Sequence, residues 1–202
     1  MVRLHAVIVP PAPALADLAR AVEKASGVSP GVPWLPRHDW QLKLAYFGNL
    51  GLEESRTVRE TLTKVGSYCR PLELRVVGAE ALPDEARAEQ LMVGLAGDID
   101  DLWSLATAIP SMVQPHGLFL DRRSFRASIV LAREVRGPFD ARAVVSRLAG
   151  FEGAPWVATE MRVVRWVPGG AGGPDDWETV DSYPFTAPAE DADAGDGSGA
   201  AH

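Results

Sequence analysis

The sequence predicts an α+β protein built from two related lobes, and two observations lead to this prediction. Segments with the apolar spacing of strands and of helices alternate along the chain in the order β-α-β-α-β-β-α-β-α-β-β. This order divides into two halves that each contain strand, helix, strand, helix and strand, and no repeat with a period of roughly 20–50 residues is present. Helices outside a sheet, with a cleft between the lobes, form the simplest arrangement of these elements.

The first half contains a segment of alternating polar and apolar residues that begins at Gln41. Alternation is typical of a half-buried strand, and it places Gln41 and Lys43 on one face, with Leu42 and Leu44 on the other. Apolar residues at helical spacing predict a helix before and a helix after this strand. In order, we predict a strand at Arg3–Val9, a helix at Ala12–Ser26, the strand from Gln41, a helix at Glu53–Ser67 and a strand at Leu72–Val76.

The second half follows the same rules. Asp98 is a favourable N-cap residue, and Pro115-His116-Gly117 ends the helix that follows it. In order, we predict a strand at Leu91–Gly97, a helix through Val113, a strand within Phe125–Arg133, a helix that opens at Gly137-Pro138 and contains Phe139 and Leu148, a β-prone run at Trp156–Val167, and a closing strand at Trp177–Phe185.

Length and composition are those of one globular domain, with 202 residues, 47% hydrophobic and 23% charged. The formal charge of −7 includes four acids in residues 187–202, which contain no Lys or Arg, so residues 1–186 carry −3. We predict one domain over 1–186 and a disordered acidic tail over 187–202. This charge argues against a broad duplex-DNA surface, but it permits recognition of one phosphate or of a single-stranded end.

Several kinds of motif are missing from the sequence. The single cysteine, Cys69, excludes an internal disulfide and is predicted to lie at a helix end as a small apolar residue. No phosphate-binding glycine loop, dinucleotide fingerprint or Cys/His metal spacing occurs, so no cofactor and no metal are expected. No signal peptide and no apolar run near the roughly 20 residues that cross a bilayer are seen. We therefore expect a cytoplasmic protein without a membrane partner, and we favour a monomer.

Two stretches with related patterns, Asp39–Leu50 and Phe125–Arg133, are the candidates for a functional site. If their strands lie side by side, Gln41 and Lys43 meet Ser128 and Val130 across one cleft.

These stretches resemble the two motif regions of the two-histidine (2H) phosphoesterase superfamily, in particular its 2′-5′ RNA ligase-like branch of RNA 2′,3′-cyclic phosphodiesterases. Trp34–Gly48 is similar to the first region, which contains H-[hydrophobic]-T, and Arg123–Arg133 is similar to the second, R-x-F-x-P-H-[hydrophobic]-T-[hydrophobic]-A-R. Arg3–Pro11 resembles the opening strand, and Val163–Val167 with Trp177–Val180 resembles the end. The resemblance covers almost all of 1–186. It implies a bilobal fold with antiparallel-rich sheets around a central cleft and helices outside.

The departures from the family pattern fall on its chemistry. The two histidines that serve as general base and acid in the family correspond to Gln41 and Ser128, and the two phosphate-holding threonines correspond to Lys43 and Val130. Ala127 replaces the usual proline. General acid–base catalysis contributes about 10²–10⁴-fold for each group, and neither Gln41 nor Val130 titrates. We therefore expect no catalytic residue at these positions and expect the hydrolytic reaction to be lost.

A ligand-binding role is predicted instead for five residues. Lys43 either contacts a phosphate or carboxylate, or is an inward ion pair with a nearby acid or a snorkelling surface lysine. Arg126 faces the same side as Ser128 and is the second choice after Lys43. Two possibilities, a ligand or a backbone partner, are open for Gln41. The predicted set is Lys43, Gln41, Ser128, Arg126 and Tyr46, with Tyr46 as a surface for a base.

Other residues are weighed against this set. His5 is expected in the core or at the cleft floor, and His38 and His116 are the residues to which catalysis would have moved. Trp34 and Trp40 are expected to pack in the core or at the rim. A dense basic run either rims the cleft or pairs with surface acids; it consists of Arg122, Arg123, Arg126, Arg133 and Arg136.

The sequence thus supports three interpretations of function. The first is a catalytically degenerate 2H-like protein that binds an RNA end, a nucleotide or another phosphorylated ligand. The second is an active cyclic phosphodiesterase with relocated catalytic groups. The third is a protein-interaction module whose cleft holds no ligand.

Overall fold

The chain forms eight strands and four α-helices in a computed structural model that describes residues 4–120, 125–168 and 176–188. Two short 3-10 turns, Arg37–Asp39 and Gln114–His116, lie between them. In chain order the elements are β1 (Leu4–Ile8), α1 (Ala12–Ser26), β2 (Leu42–Gly48), α2 (Leu52–Tyr68), β3 (Leu72–Leu82), β4 (Gln90–Gly97), α3 (Ile99–Val113), β5 (Ser128–Arg133), α4 (Arg142–Leu148), β6 (Trp156–Ala158), β7 (Glu160–Val167) and β8 (Asp176–Pro184).

The strands make one continuous antiparallel sheet in the order β6-β3-β4-β5-β2-β1-β7-β8. Each half of the order contains four strands, and the halves meet at β5 and β2. Leu42 and Ile129 are the paired residues at this seam, whereas β3 and β4 pair over seven positions. The predicted α+β class and the antiparallel pairing are confirmed. The prediction of more than one sheet is wrong, because all eight strands belong to one curled sheet.

The helices pack in two pairs, α1 with α4 and α2 with α3. Each helix buries one apolar stripe, as the 3.6-residue period requires. Leu18 and Val22 of α1, Leu62 of α2 and Leu102 and Ile109 of α3 are all buried. This burial removes the apolar face of every long helix from water, and it fixes α3 as a wall beside the central strands.

Most predicted elements are confirmed, and α1 has the predicted bounds. The predicted fourth helix is wrong at its start, because α4 begins at Arg142 and Phe139 instead pairs its backbone with Ala88. The Trp156–Val167 run is two strands rather than one. Thr159 separates them, and its carbonyl accepts a hydrogen bond from the amide of Phe185 at 2.8 Å.

Asp98 precedes α3 as predicted, but its side chain does not cap the helix. Its carboxylate accepts hydrogen bonds from the Arg70 guanidinium at 2.9 and 3.1 Å and from the backbone amide of Glu73 at 2.7 Å. The bonds from Arg70, followed by the bond from Glu73, hold the pKa of Asp98 below its usual value. The residue therefore ties the start of α3 to β3.

The end of α2 and the end of the described chain meet. Cys69 follows α2, as predicted, and burial raises the pKa of its thiol to about 11. The amide of Ala187 donates to the carbonyl of Cys69 at 3.1 Å. Residues 189–202 of the predicted tail lie outside the described residues. Among the helices that the structure does describe, none is long and apolar enough to cross a membrane.

Replacing Gly97 by Ala is expected to lower the free energy of unfolding by roughly 3 kcal/mol. Gly97 has a φ of +111°, and a Cβ there would collide with the carbonyl oxygen of Glu73. Gly27→Ala is the matched control, because Gly27 has a φ of −62° and no atom lies within 4 Å of an added Cβ. Urea denaturation followed by tryptophan fluorescence measures both variants. Equal stabilities for the two would contradict the assignment of strain to Gly97.

Candidate functional site

A cavity of about 700 Å³ lies where β2 and β5 adjoin, with α3 as its opposite wall. It is open to solvent on one side, and strands from both halves of the sheet contribute to it. Its lining consists of His5, Gln41, Lys43, Leu44, Ala45, Tyr46, Leu82, Gln90, Met92, Trp103, Ala106, Thr107, Pro110, Ser111, Leu120, Phe125, Arg126, Ser128, Val130 and Arg133.

The four motif positions line this one cavity, with Gln41 directly before β2, Lys43 on β2, and Ser128 and Val130 on β5. Leu42 pairs with Ile129 in antiparallel register, and both side chains are buried. Because neighbours on a strand point to opposite faces, the residues on either side of this pair face the cavity together. The predicted meeting of Gln41 and Lys43 with Ser128 and Val130 is therefore seen. Arg126 and Tyr46, the other two residues of the predicted set, line the same cavity.

Among the described residues, the cations Lys43, Arg126 and Arg133 line the cavity, and none of the described lining residues is an acid. Arg126 lies 3.5 Å from the carboxylate of Glu80, with both side chains about half exposed, so this ion pair is weak. Within the described residues, neither Lys43 nor Arg133 has a carboxylate within 4.0 Å. The cavity is thus a positively charged volume in an acidic protein.

The surroundings of Lys43 disfavour its charged form. Desolvation is the main cause that lowers its pKa from the ordinary 10.5; the charge of Arg133 lowers it further, and Asp39 acts in the opposite direction. Its Nζ lies 5.7 Å from the ring centroid of Trp177. The indole N–H of Trp177 in turn donates to Asp39 at 2.5 Å. The ammonium group is accessible but poorly hydrated, which strengthens its attraction to an anion.

Gln41 is held by its surroundings, since its side chain is only 7% exposed. Its Nε2 donates to the carbonyl of His38 at 2.9 Å, so the backbone-partner alternative is realised for the amide nitrogen. Its Oε1 is buried without a hydrogen-bond partner in the part of the chain that the structure describes. The amide oxygen of Gln41, and not its nitrogen, is therefore the polar atom of this side chain that is left unpaired in the described residues.

Aromatic rings surround the cations. Tyr46 is 49% exposed, and its ring lies 4.8 Å from that of His5, which in turn lies 5.1 Å from Trp177. On the opposite wall Trp103, 41% exposed, meets Phe125 edge to face at 5.2 Å. The cavity thus offers flat apolar surfaces beside its positive charge.

Sequence reasoning missed Trp103 and Phe125 and did not select Arg133. The signal for Trp103 was a large aromatic residue outside the predicted apolar stripe of α3, where it has no core to fill. Arg133 belonged to the basic run, but its place in the cavity follows from its pairing with Gln90 of β4. Arg122 and Arg123 of the same run lie outside the described residues.

The remaining candidates are placed as follows. His5 lines the cavity, as expected of a cleft-floor residue. His38 and His116 do not line it; the ring of His38 lies 6.4 Å from that of Trp166, and His116 is exposed on a 3-10 turn. Trp34 and Trp40 are outside the cavity lining, with Trp40 buried in the core.

No group of three or more His, Cys, Asp or Glu residues in 4–120, 125–168 and 176–188 is arranged to hold a metal ion.

No protein-family model and no curated protein matches the sequence, but solved structures do. TT0787 of Thermus thermophilus is 19% identical with a TM-score of 0.68, covering 91% of this chain and 98% of that chain. LigT of E. coli, complexed with 3′-AMP, is 17% identical with a TM-score of 0.69, covering 92% and 98%. A protein described as a phosphoesterase is 14% identical with a TM-score of 0.64, covering 93% and 100%.

These identities show a shared fold and nothing finer. The chain shares the fold of LigT and TT0787, in keeping with the fold that the sequence resemblance implied. LigT has also been crystallised with NADP⁺, phosphate and ATP.

Replacing Arg133 by Gln is expected to raise the pKa of Lys43, because the substitution removes a positive charge that disfavours the ammonium form. Asp39→Asn is expected to lower that pKa further, because it removes the opposing negative charge. NMR titration of the Lys43 side chain measures both shifts.

Arg147→Gln serves as the control for the Arg133 variant, since Arg147 lines a different cavity with residues of α1. It removes the same charge without approaching Lys43. A pKa of Lys43 that stays constant in Arg133→Gln would show that Arg133 does not act on this amine.

Proposed function

We propose that the protein binds a phosphorylated small molecule or the phosphorylated end of an RNA in this cavity and does not hydrolyse it. The observation that carries the proposal is the convergence of Lys43, Arg126 and Arg133 on one open cavity whose described lining contains no acid. Ammonium and guanidinium groups are the side chains that recognise phosphate oxygens best. A cavity plugged by acids or apolar side chains would have favoured an interaction module instead.

The size and lining of the cavity support a nucleotide-sized ligand. A volume of about 700 Å³ falls within the roughly 300–1,000 Å³ of typical ligand sites. Exposed faces of Tyr46 and Trp103 are suited to stack on a flat ring while the cations hold a phosphate. Solved structures of LigT with 3′-AMP, NADP⁺ and ATP give the same ligand class for a protein of this fold.

The chemistry of the four motif positions argues against hydrolysis. Cleavage of a cyclic phosphate requires one group that accepts a proton and another that donates one. Gln41 and Val130 do neither, and Gln41 already donates to His38. Ser128 is half-buried, and the cavity lining in the described residues supplies no carboxylate to activate it. The site is therefore suited to hold a phosphate rather than to cleave it.

An active phosphodiesterase with relocated groups is the second candidate function. His5 favours it, because among the described residues it is the histidine that lines the cavity. His5 packs against the rings of Tyr46 and Trp177, an arrangement that suits a structural role equally well.

Lys43→Met is expected to weaken binding of 3′-AMP by about tenfold to a hundredfold. The loss of one charged hydrogen bond costs roughly 1.5–3 kcal/mol. Isothermal titration calorimetry with 3′-AMP, and with inorganic phosphate as a ligand that lacks a base, measures the change.

Lys64→Met is the matched control, because Lys64 is an exposed residue of α2 outside the cavity. The same charge is removed, so a general electrostatic effect would appear equally in both variants. Unchanged affinity in Lys43→Met, or an equal loss in the control, would contradict a phosphate site at Lys43.

Incubation with 2′,3′-cyclic AMP is expected to give no product from the wild-type protein. Chromatography of the reaction resolves the cyclic ester from the 2′- and 3′-phosphates. Turnover that is abolished by His5→Ala, His38→Ala or His116→Ala would overturn the non-hydrolytic assignment and identify the relocated group. Each alanine variant is first checked for wild-type unfolding behaviour, so that loss of the fold is not counted as loss of catalysis.

A further inference from the structure

Lysine is rare in this chain, and one lysine lies in the positively charged cavity. The sequence contains three lysines, Lys24, Lys43 and Lys64, and 17 arginines. A guanidinium group stays protonated and matches phosphate oxygens with a planar fork, so arginine is the better residue for phosphate binding alone. An amine can lose its proton and attack a carbonyl carbon. Among the described residues that line the cavity, Lys43 is the one with a side-chain amine.

The surroundings of Lys43 favour its neutral, nucleophilic form. Desolvation, followed by the charge of Arg133, lowers the pKa of its amine. Asp39 acts in the opposite direction, but its carboxylate already accepts the indole N–H of Trp177. An apolar surrounding and a neighbouring cation are the two conditions that activate lysines for attack on carbonyl compounds. Lys43 meets both of them in a cavity that is open to a ligand.

Two guanidinium groups of the same lining are left to hold a phosphate beside this amine. Arg126 makes only a weak, half-exposed ion pair, and Arg133 lies near enough to act on the charge of Lys43. The partly exposed rings of Tyr46 and Trp103 add flat surfaces on opposite walls. A ligand with a phosphate, a flat ring and a carbonyl group therefore finds a matching group in the cavity for each of these parts.

We propose that Lys43 forms an imine with a phosphorylated aldehyde whose phosphate is held by Arg126 and Arg133, an inference that rests on the proposed function. The neutral amine attacks the carbonyl carbon, so that a C–N bond forms while one of the two C–O bonds breaks. The carbinolamine that results loses the former carbonyl oxygen as water, together with both hydrogens of the amine. The step involves no oxidation or reduction, and protons are exchanged with solvent through the open side of the cavity.

The test is incubation of the full-length protein with pyridoxal 5′-phosphate, a phosphorylated aldehyde with a flat ring. Borohydride reduces the imine to a stable secondary amine, and mass spectrometry of the digested protein locates and quantifies it. We expect about tenfold more adduct at Lys43 than at Lys24 or Lys64, which are exposed outside this cavity, because the arginines concentrate the aldehyde at Lys43. Equal yields at the three lysines would overturn the inference.

Two comparisons test the role of the phosphate. With pyridoxal, which lacks the phosphate, the ratio of adduct at Lys43 to adduct at Lys64 is expected to fall by about tenfold. Arg133→Gln is expected to lower the same ratio for pyridoxal 5′-phosphate, because it removes a phosphate partner and raises the pKa of Lys43. Arg147→Gln is the matched control outside the cavity. A ratio that stays the same with pyridoxal, or in Arg133→Gln, would contradict a phosphate-directed reaction.

Calorimetry with 3′-AMP and inorganic phosphate separates this inference from the proposed function. Binding of both ligands by a wild-type chain that shows no selective adduct at Lys43 would overturn the imine and leave the phosphate site established. A selective adduct at Lys43 in a chain that binds neither ligand would overturn the proposed function and leave a reactive amine. Selective adduct formation together with competition by 3′-AMP supports both.

Discussion

The one-residue connection at Thr159, between β6 and β7, constrains the shape of the whole sheet. β6 and β7 are separated by this one residue, yet they are first and seventh in the order of the sheet. Two Cα–Cα steps span at most about 7.6 Å, so the sheet curls until its distant strands meet. In a flat sheet, β3 and β1 would lie four strand spacings, or about 19 Å, apart. The curl brings side chains from both, Leu82 and His5, into one cavity.

The chemistry of that cavity follows from the residues at the four motif positions, Gln41, Lys43, Ser128 and Val130. Histidines at two of these positions would titrate near neutrality, whereas Lys43 is an amine whose pKa is lowered from 10.5. Burial and the charge of Arg133 lower the pKa of Lys43, because both disfavour its ammonium form. This environment is the basis of the phosphate site proposed at Lys43.

The alternation of polar and apolar residues along the strands predicted which of their side chains face the cavity. The period of two in a strand was enough to place Gln41 and Lys43 on the cavity face, and the resemblance to a known fold placed Ser128 beside them. Trp103 and Arg133 enter through tertiary packing of α3 and through the pairing of β4 with β5, which periodicity does not encode. Asp98 shows the same limit, because its position before a helix predicted a cap, but Arg70 and Glu73 offered its carboxylate stronger partners.

The seam between β2 and β5 has a mechanical consequence. The interior of each half is tied by full ladders, but within the described residues β2 and β5 pair only at Leu42 and Ile129. The segment before β2 adds a hydrogen bond from the amide of Leu35 to the carbonyl of Leu131 at 2.8 Å. Few backbone hydrogen bonds therefore join the two walls of the cavity at this seam. Because the cavity is lined from both sides of the seam, its width depends on side-chain packing and on the one-residue link at Thr159 rather than on a long backbone ladder.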